Sequence, residues 1–155
     1  AALTGHLVLS TLHTNDAASA PVRLADMGVE PYLVASCLLC VAAQRLVRVI
    51  CPRCAEDYEV PEDSPARVLA KKARRGRGCP WCEGTGFRGR RAVVEVLSVS
   101  KAVRDAVRNH ASADEIRKIA ISEGMVTLME DARVKVAAGV TTPDEALRVV
   151  ASAEV

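Results

Sequence analysis

Aromatic residues are scarce in this chain: phenylalanine, tryptophan and tyrosine make up 3% of its 155 residues. Any core must therefore be built from valine, leucine, isoleucine and alanine, within an apolar content of 50%. The net charge of +2 is also small. Because nucleic-acid-binding proteins combine basic surfaces with aromatic side chains that stack on bases, we expect no nucleic-acid partner.

Long apolar runs are missing as well. None reaches the roughly 18 residues that a membrane-spanning helix needs, and the longest, residues 32–43, stops at Gln44 and Arg45. The chain has neither a signal peptide nor an initiator methionine, and its first residues lead straight into an apolar segment. We therefore expect a soluble, cytoplasmic protein whose chain begins partway through a fold.

Apolar patterning in the first third predicts a mixture of strands and helices. The run HLVLSTL at residues 6–12 is typical of a buried strand. Asn15 or Asp16 then provides a helix N-cap, apolar residues follow at helical spacing over residues 17–27, and Gly28 ends the helix.

A second helix is expected over residues 32–49, because this segment is apolar almost all round until its last third. Cys37 and Cys40 fall within it, and we interpret them as buried core residues, since free cysteine is commonly buried. Further along, AVVEVLSV at residues 92–99 predicts a strand.

Beyond residue 99 the sequence indicates helices only, beginning with one over residues 100–109. Each of three later helices is marked by a serine or threonine that is followed three residues on by glutamate, which is the capping-box pattern. Together they predict a C-terminal bundle of about four helices. The three pairs are Ser112 with Glu115, Thr127 with Glu130, and Thr142 with Glu145.

Four cysteines form two C-x-x-C motifs, Cys51–Cys54 and Cys79–Cys82, which are separated by 24 residues. Each motif can place two thiolates on one ion, and two motifs complete the tetrahedral sphere of zinc. With no open ligand position, such a site is structural and not catalytic. Disulfides or a redox motif are the alternatives, although disulfides are rare in cytosolic proteins.

Basic residues crowd the region between and after these motifs, with Glu83 as the lone acidic residue among them. A solvated loop is one interpretation, and attraction to an acidic membrane or a phosphate chain is the other. The cluster comprises Arg67, Lys71, Lys72, Arg74, Arg75, Arg77, Arg88, Arg90 and Arg91.

Two histidines, His6 and His13, lie seven residues apart in GHLVLSTLHTND. On one regular strand this odd spacing would put them on opposite faces, so they are not a simple metal pair. His13 would lie at the carboxyl end of the predicted strand, where α/β sheets bind ligands, with the hydroxyl groups of Thr11 and Thr14 beside it.

The segment AALTGHLVLSTLHTNDAA resembles the histidine box of the ATPases of type II secretion and type IV pilus assembly. The similarity continues through both cysteine motifs, GRRAVVEVL and EGMVTLMEDARVKVAAGVTTPDEALRVV. It implies an α/β fold: the C-terminal part of a RecA-like P-loop ATPase domain, with an inserted four-cysteine zinc lobe and a C-terminal helical bundle. The implied division is residues 1–50 for the ATPase core, 51–91 for the zinc lobe, and 92–155 for the final strand and helical subdomain.

The resemblance also implies a function: a homo-hexameric motor that uses ATP and Mg²⁺ to assemble pilin or pseudopilin fibres and export proteins. Such a motor works at the inner membrane with platform proteins. His6 and His13 match the histidine box, which implies a catalytic role with His13 near the γ-phosphate, while Thr11 and Thr14 would contact the nucleotide.

One motif of that family does not occur in the chain, because the sequence contains no G-x-x-x-x-G-K-[ST] phosphate-binding loop. We therefore expect these 155 residues alone to be inactive as an ATPase. A zinc-ribbon module that binds nucleic acid, or an adaptor whose zinc lobe docks a partner, stays open as the alternative function.

Overall fold

The computed structural model describes residues 1–151, which contain both helices and strands. The chain divides into two compact units: unit 1 comprises Ala1–Ala43 with Glu95–Thr127, and unit 2 comprises Gln44–Val94 with the chain from Leu128 onward. The elements in chain order are α1 (Ser19–Asp26), α2 (Pro31–Cys37), β1 (Cys40–Ile50), β2 (Ala55–Glu59), β3 (Lys72–Gly76), β4 (Phe87–Ser98), α3 (Lys101–Arg108), α4 (Ala113–Ser122), α5 (Leu128–Ala137) and α6 (Pro143–Ala151).

The two long strands, β1 and β4, pair with each other and contribute residues to both units. At one end of the pair the Val99 N–H donates to the Leu39 carbonyl at 3.0 Å, and at the other the Cys51 N–H donates to the Gly86 carbonyl at 2.9 Å. Partners that converge in this order make the pair antiparallel. β4 includes residues 92–98 of the strand predicted at 92–99 and begins earlier, at Phe87, toward the cysteines.

Unit 1 is built around an apolar cluster to which the helices and the end of β4 contribute. Its buried members include Val34, Leu97, Val103, Ile116 and Met125. Helix boundaries follow the predicted local signals, since side-chain caps satisfy backbone N–H groups at helix starts. The Asp16 carboxylate accepts from the Ser19 N–H at 2.7 Å, and Ser112 forms a complete capping box with Glu115.

Unit 2 combines a hairpin of β2 and β3 with helices α5 and α6. Its apolar cluster includes Val47, Val93, Ala132, Val136 and Val149. The capping box predicted at Thr142 is only half formed. The Thr142 hydroxyl accepts from the Glu145 N–H at 3.2 Å, as predicted, but the Glu145 carboxylate instead binds Arg48 and Arg148.

The strand predicted at residues 6–12 is wrong. The segment adopts neither helix nor strand, and Leu7 and Leu9 are 77% and 88% exposed. A strand depends on hydrogen bonds to a neighbouring strand, and none of the strands in residues 1–151 pairs with this segment. Without a neighbouring strand, Leu7 and Leu9 are left largely exposed.

The long helix predicted at residues 32–49 is also wrong. Helix α2 ends at Cys37, because Leu38 turns to an extended conformation, and β1 begins at Cys40. Apolar runs of this kind are ambiguous in periodicity, and the β-branched residues of β1 favour a strand. Cys40 is exposed and Cys37 only partly buried, so the two are not the shared helical core that was predicted.

The four helices predicted after residue 99 are confirmed as α3 to α6. Of these, α3 and α4 belong to unit 1, whereas α5 and α6 belong to unit 2. Gly124 and Gly139, which follow α4 and α5, both have positive φ, at 97° and 67°, as is common for a glycine just after a helix.

Candidate metal centre

The hairpin brings the two cysteine pairs together. β2 starts directly after Cys54 and β3 ends three residues before Cys79, and their antiparallel register joins Ala55 to Gly76 at that end. The Arg77 N–H then donates to the Cys54 carbonyl at 2.9 Å. The long spacer between the motifs is therefore an ordered hairpin.

Three glycines allow the backbones to approach closely around the cysteines. A Cβ atom on Gly76 would lie 1.9 Å from the Gly86 carbonyl oxygen, and one on Gly86 would lie 2.3 Å from the Gly76 carbonyl oxygen. Gly78 has a φ of +95° and its Cβ would meet the Gly84 carbonyl oxygen at 2.6 Å. Only glycine fits such positions. The sequence analysis gave no role to these glycines, because the close approach of Gly76 to Gly86 depends on the fold.

Four sulfur atoms converge at this point. The Sγ atoms of Cys51, Cys54, Cys79 and Cys82 all lie within 4.8 Å of one another. Individual separations are 3.8 Å for Cys51–Cys79, 3.9 Å for Cys54–Cys82 and 3.7 Å for Cys79–Cys82. Four ligands at about 2.3 Å from a tetrahedral zinc ion would be ~3.8 Å apart. The donor set and its geometry therefore fit a metal ion such as zinc.

Backbone amides surround the sulfur atoms. The N–H groups of Cys79 and Gly86 each donate to the Cys82 sulfur at 3.3 Å, and the Gly78 N–H donates to the Cys54 sulfur at the same distance. Burial raises the pKa of the Cys82 thiol, but the two amides outweigh it and lower the pKa to about 6. Thiolate is the form that binds a metal, so these amides favour binding.

The pKa of the neighbouring Cys54 thiol is shifted in the opposite direction. Burial raises the pKa of the Cys54 thiol to about 12, and the single amide of Gly78 does not offset it. The cluster therefore places thiols of very different acidity in contact. A divalent cation would favour deprotonation of all four, which is the charge state that a tetrathiolate site requires.

The predicted nucleotide-site residues lie in the irregular segment before α1. His6, Thr11 and His13 are exposed, and His6 Nδ1 lies 3.1 Å from the Thr4 hydroxyl. The Thr14 hydroxyl donates to the Asp16 carbonyl at 3.1 Å. The roles assigned to His6, Thr11, His13 and Thr14 stay predictions.

Two acidic residues hold the end of this segment, and neither role could be predicted from the sequence. Asp16 forms an ion pair with Arg117, and the buried Glu95 accepts a hydrogen bond from the Ala17 N–H at 2.9 Å. The point at which the histidine-containing segment joins α1 is therefore held by contacts within unit 1.

Comparison with known proteins identifies the family. The profile of the family described as "Type II/IV secretion system protein" matches residues 1–148. The chain belongs to this family. The resemblance inferred from the histidine box and the cysteine motifs is thereby confirmed.

Relatives within the type II/IV secretion family come from both branches that were named. The chain is 46% identical to the type IV pilus assembly ATPase PilB of Thermus thermophilus, over 95% of this chain and 17% of that protein. It is also 46% identical to the type II secretion system protein E of Pseudomonas aeruginosa, and 42% to the type II secretion system ATPase E of Vibrio cholerae. The alignments to these last two proteins cover 96% of this chain and 30% of each relative.

The chain thus spans less than a third of the length of these relatives. Among the helices that the structure describes, none has both the length and the apolar character needed to cross a bilayer.

Proposed function

We propose that Cys51, Cys54, Cys79 and Cys82 hold one structural zinc ion. The observation that carries the proposal is the convergence of all four sulfur atoms within 4.8 Å. Four protein thiolates fill a tetrahedral sphere and leave no position for water or substrate, so the ion would organise the lobe and not perform chemistry. The separations between the sulfur atoms are too long for disulfide bonds, which are about 2.05 Å.

Metal content tests this proposal. The chain, purified without chelator, is expected to contain about one zinc per molecule, and Cys79→Ser is expected to lose it. Cys37→Ser is the matched control, because Cys37 lies outside the cluster and its loss should leave the metal in place. Reactive thiols at all six cysteines in a metal-free chain with an intact hairpin would contradict the zinc site.

We further propose that the chain is part of a hexameric motor that couples ATP hydrolysis to the assembly of pilin or pseudopilin fibres and to protein export. Family membership and the names of relatives in both branches support this. In the motor, these residues would belong to a RecA-like ATPase domain that binds ATP and Mg²⁺. The division at residues 50 and 91 into core, zinc lobe and helical subdomain belongs to the same proposal.

Within that motor, His13 would lie near the γ-phosphate and His6 would complete the histidine box, with Thr11 and Thr14 contacting the nucleotide. The exposure of His6, Thr11 and His13 leaves these three side chains accessible to a ligand, whereas Thr14 is partly buried. The motor would act in the cytoplasm, at the inner membrane with its platform proteins.

An activity measurement separates the chain from the whole motor. These 155 residues are expected to show no ATP turnover above buffer, because they contain no phosphate-binding loop. A longer protein that includes the loop should be active, and His13→Ala in it should lower kcat by about a hundredfold if the side chain stabilises the transition state. Turnover by the 155 residues alone, unaffected by His13→Ala, would overturn the assignment.

The nucleic-acid alternative is less well supported, because much of the basic insert is neutralised. On the hairpin, Lys72, Arg74 and Arg75 of β3 pair with Glu59, Asp57 and Glu56 of β2, at 3.3, 3.5 and 3.0 Å. The strand register places each pair directly opposite. Opposed charges of this kind stabilise a hairpin, and the cations of β3 are therefore less available to a nucleic acid.

A further inference from the structure

Some basic residues around the cysteine cluster have carboxylate partners and others do not. Those of β3 face carboxylates across the hairpin, as described above. Arg53 and Arg88 differ: both are exposed, and within residues 1–151 neither lies within ion-pair distance of a carboxylate. Their positive charge is therefore available to another molecule.

These two arginines share one aromatic ring. The guanidinium carbons of Arg53 and Arg88 lie 4.4 and 4.3 Å from the centre of the Trp81 ring. Trp81 in turn packs on the cysteine cluster, between two of its ligands in sequence. Arg88 Nη1 also donates to the Trp81 carbonyl at 2.8 Å. Each guanidinium thus lies against a ring that packs on the cysteine cluster.

Fixed guanidinium groups suit a particular class of ligand. Arginine offers a planar fork of N–H donors that matches a carboxylate in two parallel hydrogen bonds. Stacking on an indole reduces the freedom that each side chain would lose on binding. We propose that Arg53 and Arg88, positioned on Trp81, form a docking site for an acidic segment of a partner protein.

Two other partners fit the surface less well. A membrane site is usually anchored by an aromatic side chain that enters the lipid interface, and a single-stranded nucleic acid stacks its bases on open aromatic faces. Here the ring of Trp81 is engaged by the two guanidinium groups and by the cysteine cluster. The ring therefore serves to position the arginines, and carboxylates are the groups that they would bind.

The proposal depends on the proposed function only through the metal that is expected to order the lobe. It is tested with a short synthetic peptide of alternating aspartate, glutamate and serine, and with a second peptide that carries asparagine and glutamine in place of the acids. Trp81 is the sole tryptophan of the chain, so its fluorescence reports directly on the site. Zinc content is measured for every variant, which separates a failed lobe from a failed docking site.

Two double variants that remove the same charge give the decisive comparison. Arg53→Ala with Arg88→Ala is expected to weaken binding of the acidic peptide by about tenfold or more. Lys72→Ala with Arg75→Ala removes two cations that already have partners, and should weaken it by about twofold or less. Should the alanine pair lose its zinc, Arg53→Lys with Arg88→Lys takes its place, with a smaller loss expected because the fork is removed but the charge is kept.

Several results would overturn the proposal. They are equal weakening by both double variants, wild-type affinity in the lysine variant, and no binding of the acidic peptide by the wild-type chain. Phosphatidylglycerol vesicles and single-stranded DNA are measured in parallel. Tighter binding of either one through Arg53 and Arg88 would assign the surface to a membrane or to a nucleic acid instead.

Discussion

The segment that contains the two histidines and the lobe that contains the four cysteines are opposites in composition and in order. Residues 6–12 are largely apolar, yet Leu7 and Leu9 are 77% and 88% exposed and the segment is irregular. Residues 51–86 are polar and basic, yet they form a hairpin around buried cysteines. The difference teaches that a segment is ordered when the groups that it must contact lie nearby. The four cysteines of the lobe contact one another, whereas an apolar strand depends on a neighbouring strand.

Removing the metal should have the largest effect on stability, and this effect should be confined to the lobe that contains the four cysteines. Structural zinc supplies on the order of 10 kcal/mol of binding free energy in small metal domains, and the hairpin has few apolar residues to replace it. Chelation is expected to abolish hydrogen-exchange protection in β2 and β3. Helices α1 to α4 have an apolar cluster of their own and should keep their protection.

Acidification gives a second way to release the metal. Protons compete with the ion for the thiolates, so zinc should be lost as the pH falls. Loss of protection in α1 to α4 together with the hairpin would contradict the expected confinement, because it would mean that the metal holds the whole chain. Cys37→Ser, treated in the same way, should behave like the wild type, because it removes a cysteine outside the cluster.

Local signals explain why some of this could be predicted from the sequence. A C-x-x-C turn, a capping box and a glycine after a helix each involve residues within a few positions of one another. The capping box of Ser112 with Glu115 was accordingly identified correctly, and the four cysteines of the two motifs do converge. The strand at residues 6–12 and the helix at 32–49 were not, because periodicity alone does not say which elements pair.

Substitution of Glu145 should have the next largest effect, because its charged hydrogen bonds to arginine stabilise the fold. This side chain is 2% exposed, and its carboxylate accepts from Arg48 Nη2 at 2.8 Å and from the Arg48 N–H at 3.1 Å. Glu145→Gln is expected to cost about 1–2 kcal/mol at neutral pH, since it removes charge-assisted hydrogen bonds whose arginine partners are largely exposed. Unfolding in urea measures this loss of stability. As a control, Glu62→Gln changes an exposed carboxylate that pairs with Arg67, and it should cost less than about 0.5 kcal/mol.

The pH dependence of this effect has a definite sign. Burial raises the pKa of Glu145, but the hydrogen bonds from Arg48 and Arg148 outweigh it and hold the pKa below its ordinary value. A lowered pKa in the folded state adds stability above the pKa of the unfolded chain, about 4.3, and this stability is lost as the pH falls through the folded value. The difference in the free energy of unfolding between wild type and Glu145→Gln should therefore become smaller below about pH 4.5. A constant difference down to pH 3 would contradict this.

The Arg48–Glu145 pair also marks a limit of sequence reasoning. The two residues are 97 positions apart, and Glu145 matched a capping-box pattern that predicted a different partner for its carboxylate. The cross-strand pairs of the hairpin and the two arginines on Trp81 are non-local in the same way. The basic cluster was visible in the sequence, but its division into paired and unpaired cations depends on the fold.

The smallest expected effect lies in the histidine-containing segment. Leu9→Asn should change the free energy of unfolding of this chain by less than about 0.5 kcal/mol, because the side chain is already in water. Leu97→Ala, at a fully buried position in β4, should cost about 2–5 kcal/mol and serves as the reference. A loss above about 1 kcal/mol for Leu9→Asn would show that the segment is packed in solution. If the proposed hexamer buries the segment, the same substitution should instead weaken assembly of the longer motor, which would place the missing partners outside this chain.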